Sequence, residues 1–395
     1  MCTIHYRVPR GDAVSSSLRA CRSRGQFAGV ETQTITTHAL SGDAGRQHTT
    51  LLLVCATILG LYVDVWSHGQ RFIESFFSIW HLPLYAGYLA TACWILAPIV
   101  RAARNKMLPA AFSRTWWCDA AGVVIFGVGG AADAAWHSIY GLETGVDVLF
   151  SPSHFLLFVG LILMASSPFR AAWAEGGAGD AWVSLRAFLT PLLSLALTTS
   201  LVGVVMIHLW GFTSSHFMTR NATQLVKELG LSTAAEGLVR DLVYARAIGN
   251  ILITNAVLLT PVLLMLQRWR VPFGSLTICL ALPTVLMAAV TGFFVPRLLA
   301  VPVIAGLVAD AAAQILRPSP QRPVALRAFA TVTPVILWSL YIAAVHWEWG
   351  LARSPLFWSG LVLWTGAEGL ALSLLVGQAG AAAPQAATGS TAGSG

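Results

Sequence analysis

Two short patterns in this chain place carboxylate and imidazole side chains at spacings that could do chemistry together. Asp64-Val-Trp66-Ser-His68 is followed, after twelve residues, by His81. Asp133-Ala-Ala-Trp136-His137 is followed, after sixteen residues, by His154 within Ser151-Pro152-Ser153-His154. In each copy the Asp and the first His are four residues apart, so on a helix they share one face, one turn apart. The second His then opens the next apolar segment. One carboxylate and two imidazoles form a common ligand set for copper, iron or zinc. The same groups could instead relay protons, or the Asp could hold the far ring nitrogen of a ligating His. Recurrence of the whole three-residue unit favours ligation, with Asp64, His68, His81 and Asp133, His137, His154 as candidate metal ligands.

Two weaker echoes follow. Ile207-His208-Leu-Trp210 precedes Ser214-Ser215-His216, with Val204 where the Asp would be. His346-Trp347-Glu348-Trp349 precedes Ser354-Pro355-Leu356-Phe357, with Ile342 in the Asp position and Phe357 in that of the distal His. His208, His216 and His346 are therefore secondary ligand candidates.

The elements that must position these residues are apolar helices. Of the 395 residues, 56% are hydrophobic and 10% charged, against roughly 25% charged in a soluble domain. Runs of about twenty apolar residues recur, the length a bilayer-spanning helix needs. The expected fold is an all-α polytopic membrane bundle of about ten transmembrane helices, at 49–67, 77–100, 117–138, 153–169, 187–208, 247–267, 273–295, 298–316, 326–346 and 354–377. Residues 1–48 read as a disordered polar N-terminal tail and 378–395, rich in Ala, Gly, Ser and Thr, as a disordered C-terminal one. The hairpins 49–100 and 117–169 read as an internal repeat in parallel orientation. Segment 211–246 reads as a sizeable loop with an amphipathic helix near Lys227–Arg246. The six cysteines show no C-x-x-C pair and no regular spacing, so neither a disulfide framework nor a thiolate metal cluster is expected.

The formal net charge of +7 invites a polyanionic partner, but the basic residues follow topology instead. With the N-terminus in the cytoplasm, 17 of the 24 Lys and Arg fall on the cytoplasmic side. Both termini are then cytoplasmic, in a bacterial-type plasma membrane, and no nucleic-acid partner is expected. His68, His81, His137, His154, His208, His216 and His346 all fall at the outer ends of spans or in the loops between them. Asp64, Glu74, Asp133, Glu143 and Asp147 gather at the same end, where an acid-lined, histidine-rich pocket attracts cations. Membrane lipid, further membrane subunits or a second copy of the chain are the expected partners. Asp310 and Glu368 lie within spans without an evident partner in sequence; each could couple protons or hydrogen-bond a neighbouring helix.

The second motif, Asp133-Ala-Ala-Trp136-His137 followed by Ser151-Pro152-Ser153-His154 and an apolar helix, resembles the C subunit of the copper membrane monooxygenases, the family of the particulate methane and ammonia monooxygenases. The resemblance covers about 25 residues and recurs at Asp64, His68 and His81. It implies that Asp133, His137 and His154 hold a metal, that the metal is copper, and that dioxygen is activated to oxidise a small apolar substrate. The alternative from a different class is a non-enzymatic transporter or metal-handling protein, with Asp310 or Glu368 coupling protons.

Overall fold

The computed structural model describes residues 44–70, 78–106, 112–141, 147–175, 183–213, 219, 222–290 and 296–381. These residues are helical almost throughout, with no strand among them. The helices are α1 (Ala44–Gly69), α2 (Leu82–Arg104), α3 (Arg114–Tyr140), α4 (Asp147–Phe150), α5 (Pro152–Ala165), α6 (Ser167–Ala174), α7 (Leu185–Val205), α8 (Ala222–Glu228), α9 (Glu236–Arg268), α10 (Ser275–Val290), α11 (Ala300–Leu316), α12 (Pro323–Trp349) and α13 (Pro355–Ala381).

Among the described residues, eight helices are long and apolar enough to cross a membrane. Two of the ten expected spans depart from that standard. Segment 153–169 is broken into α5 and α6, bent by 45°, where Ser166 and Pro168 interrupt the run. Counted as one span, the bent pair makes nine. Segment 273–295 forms α10, whose 16 residues fall short of the roughly 20 that a perpendicular crossing uses; residues 291–295 lie outside those described. The N-terminal tail is shorter than expected, because α1 begins at Ala44, while residues 1–43 and 382–395 lie outside those described. The expected loop 211–246 is also shorter. Its amphipathic part from Glu236 is the first three turns of α9, which runs unbroken into the apolar span.

Local chemistry explains where the helices near the motif begin and end. Ser113 caps α3 by accepting from Trp116 N, and Ser151 caps α5 by accepting from His154 N, with Pro152 in the first turn, where a missing N–H costs nothing. Gly141, at φ 80°, ends α3, a backbone conformation that an L side chain would strain.

Sequence neighbours pair as hairpins: α1 along α2, α3 along α5, α10 along α11 and α12 along α13. The first two pairs meet backbone to backbone through glycine. A Cβ on Gly60 would fall on the Leu84 backbone, and one on Gly87 would lie 2.6 Å from Thr57 N. A Cβ on Gly129 would lie 2.9 Å from Leu157 N, and one on Gly160 2.6 Å from Phe126 N. Small residues of this kind let membrane helices approach closely enough for dispersion to hold them.

Three carboxylates of the spans outside the two motifs are engaged. Asp310 on α11 accepts from Leu276 N and Thr277 N at 3.0 Å each, and from Thr277 Oγ1 at 2.7 Å. It thereby caps α10 from a neighbouring helix. Glu368 accepts from Asn255 Nδ2 at 2.9 Å, and Asn255 Oδ1 accepts from Trp338 Nε1. Asp119, near the opposite end of α3 from Asp133, accepts from Ser167 Oγ and Arg170 Nη2, both at 2.6 Å.

Candidate metal centres

The glycine seams place the motif side chains. Gly60 precedes Asp64 by one turn and Gly129 precedes Asp133 by one turn; Gly87 and Gly160 each follow the distal His by six residues. The facing partners share this register too, since Leu84 and Leu157 lie three residues after His81 and His154, and Thr57 and Phe126 lie seven before the Asp. With the two backbones in contact just below, the first residues of α2 and α5 come level with the last turns of α1 and α3. The distal His then reaches the Asp–His pair of the preceding helix.

Both triads form as a result. Asp64, His68 and His81 offer ligand atoms that all lie within 4.8 Å of one another, and so do Asp133, His137 and His154. His68 Nε2 is 3.4 Å and His81 Nε2 3.0 Å from Asp64 Oδ1. His137 Nε2 is 3.4 Å from Asp133 Oδ2, and His154 Nε2 is 3.7 Å from Asp133 Oδ1. The ring pairs match as well: His68 and His81 have centroids 5.8 Å apart and planes at 69°, His137 and His154 6.0 Å and 66°. Each Asp is 8% exposed, while the histidines are partly open.

His137, His81 and His154 are oriented through Nδ1. His137 Nδ1 lies 3.1 Å from the Gly141 carbonyl oxygen, which can only accept, so this nitrogen carries the proton. His81 Nδ1 pairs with Ser78 Oγ at 2.8 Å, and His154 Nδ1 with Ser151 Oγ at 2.5 Å. Such partners leave Nε2 facing inward, as at metal-bound histidines. At His137, whose Nδ1 holds the proton, the Nε2 lone pair turned toward Asp133 repels the carboxylate unless a cation sits between them. Asp64 Oδ1 is buried with no hydrogen bond among the described residues, a site where a cation would be welcome. The donor set therefore suits a transition-metal ion.

The two groups sit on adjacent hairpins. Tyr85, one turn into α2, stacks on His81 with centroids 5.8 Å apart and planes at 12°. One turn further, Tyr88 donates to Val123 O of α3 at 2.9 Å. Large apolar side chains close to the histidines in sequence are exposed: Ile79 and Leu82 flank His81, Ile139 follows His137, and Phe150 and Phe155 bracket His154.

Two of the secondary candidates stand apart from both groups. His208, on a short 3-10 turn after α7, and His346, in the last turn of α12, are exposed and belong to neither group. One turn before each stands Val204 or Ile342, where the two motifs have Asp. His216, Glu74 and Glu143 lie outside the described residues. Reading for ligand-type residues missed the glycines of the seam and the serines Ser78, Ser151 and Ser153, although the pairs Gly60/Gly129 and Gly87/Gly160 stand at equal offsets in the sequence. No protein-family model matches the chain, and neither a curated protein nor a solved structure matches it.

Proposed function

We propose that this chain is a membrane metalloprotein whose two Asp–His–His groups each hold a transition-metal ion at the outward ends of a helix bundle. The observation that carries this reading is the twofold convergence of three ligand atoms within 4.8 Å around a nearly buried carboxylate. Three protein ligands leave coordination positions free for a further molecule, the pattern of reactive rather than purely structural sites. Copper is the preferred ion: imidazole and carboxylate suit it, and the Asp-x-x-Trp-His and Ser-Pro-Ser-His motifs point the same way.

When bound, copper would supply dioxygen activation for oxidation of a small apolar substrate. The chain's own residues hold the ion through Nε2 and carboxylate oxygen, fix the imidazoles through Ser78, Ser151 and Gly141, and offer an apolar rim through Ile79, Leu82, Phe150 and Phe155. A substrate dissolved in the bilayer, or a further membrane subunit, would meet that rim first.

The same reading takes the ten apolar helical segments as ten crossings, with hairpins α1–α2 and α3–α5 as copies of one unit and both termini cytoplasmic. The shared glycine register and the Lys/Arg distribution support it. A transporter that used Asp310 for proton coupling would have to release this residue from the backbone amides it caps, which weighs against that alternative.

The test is metal content. Purified protein is expected to bind two equivalents of copper per chain, and the His81→Ala/His154→Ala double variant to bind none while retaining its helical circular dichroism. Full retention by a folded double variant would overturn the assignment.

A further inference from the structure

The two groups are built on one plan, but the residue before the distal histidine differs. In the second group this residue is Ser153, whose hydroxyl donates to Asp133 Oδ1 at 2.8 Å. In the first it is Trp80, which has no hydroxyl and packs edge-on to Trp66 with centroids 6.0 Å apart. The carboxylates are satisfied differently as a result. At Asp133 the load is divided, with His137 facing Oδ2 and His154 and Ser153 facing Oδ1. At Asp64 both imidazoles address the same oxygen, Oδ1. That oxygen is buried with no aligned donor, the 3.0 Å approach of His81 Nε2 included.

A buried carboxylate oxygen without a donor raises the free energy of the metal-free state, and an arriving cation removes that penalty. Asp133 carries a smaller penalty, because Ser153 already satisfies it and withdraws part of its charge. We infer that the two centres, read as metal sites as above, are unequal: Asp64–His68–His81 is the tight position that fills first, and Asp133–His137–His154 is the weaker, exchangeable one. The chain would then carry one resident ion and one labile ion, and the choice between them is made by Trp80 against Ser153.

The test is a titration of metal-free protein in detergent with Cu²⁺ against a competing chelator. Two steps separated by at least tenfold are expected. His154→Ala should lose the weaker step and keep the tight one, and His81→Ala the reverse. A second measurement needs no variant. Histidine-directed acylation followed by mass spectrometry should show His68 and His81 protected by the first equivalent, and His137 and His154 only by the second. Two steps of equal affinity, or protection in the opposite order, would overturn the inequality while leaving both sites as metal sites. Absence of any copper uptake would overturn the metal reading, and this inference with it.

Discussion

The glycine seam offers the sharpest perturbation, because it changes no ligand. A methyl group on Gly87 would lie 2.6 Å from Thr57 N, a backbone atom that no rotamer change can move. To reach an ordinary van der Waals distance of 3.4 Å, α1 and α2 must part locally by about 0.8 Å. His81 stands six residues away, roughly 9 Å along the same rigid helix, so most of that displacement reaches it. Metal–ligand distances are met only within roughly 0.2 Å. Gly87→Ala should therefore weaken copper binding at Asp64–His68–His81 on the order of 10- to 100-fold, the loss typical when a ligand's orienting partner is removed. Overpacking should also lower stability by about 1–3 kcal/mol. Gly160→Ala, 2.6 Å from Phe126 N and 2.7 Å from Gly122 O, should do the same to the other centre and leave the first intact. Gly130, one residue from the seam, has nothing within 4 Å of an added Cβ; Gly130→Ala should leave both centres unchanged and gain about 0.5–1 kcal/mol of helix stability. Chelator-competition titrations and thermal unfolding of the three variants decide the matter. If Gly87→Ala binds both equivalents with wild-type affinity, helix contact at the seam does not set the ligand geometry.

Other outcomes follow from single contacts. Ser78→Ala and Ser151→Ala remove the Nδ1 partners of His81 and His154 and should each weaken one centre on the order of tenfold or more, read by the same titration. Asp310→Ala strips two backbone amides of their acceptor; it should cost about 1–3 kcal/mol in thermal unfolding while copper stoichiometry stays at two. Asp119→Ala leaves Arg170 without its carboxylate and should be the most damaging of these changes, at about 3–5 kcal/mol, again without loss of metal ligands. A reporter fused after residue 381 should be active in the cytoplasm, and an external signal would overturn the orientation drawn from Lys and Arg.

The triads were legible in the sequence because their geometry is nearly local. Asp64 and His68, like Asp133 and His137, share a helix face by spacing alone, and a short connection leaves the next helix little choice but to begin beside them. Element types were legible for the same reason, from apolar runs too long for anything but helices. Boundaries were less so: the amphipathic helix read over Lys227–Arg246 was separated from the apolar span at 247, yet α9 runs unbroken from Glu236 to Arg268, because a helix that leaves the bilayer keeps its hydrogen bonds while its side chains turn polar. The end of α5 depends on a bend that composition does not encode. Partners of isolated groups were out of reach. Nothing near Asp310 in sequence announces Leu276 and Thr277, 34 and 33 residues earlier.

The fate of the weaker echoes shows what a centre needs beyond histidine. His346 ends α12 much as His137 ends α3, with a glycine beyond it in each case, Gly350 at φ 76° and Gly141 at φ 80°. Yet His346 is exposed, because one turn below it stands Ile342 rather than an Asp, and the next helix begins with Phe357 where the distal His would be. The α12–α13 seam is tight in its own right, since a Cβ on Gly369 would overlap the Ala330 carbonyl. Close helix approach and a capped helix end are thus present without convergence of ligands. The buried carboxylate organises the group: it gives two imidazoles a common target at the helix ends, and its oxygen at Asp64, buried without a hydrogen bond among the described residues, supplies the reason for a cation to stay.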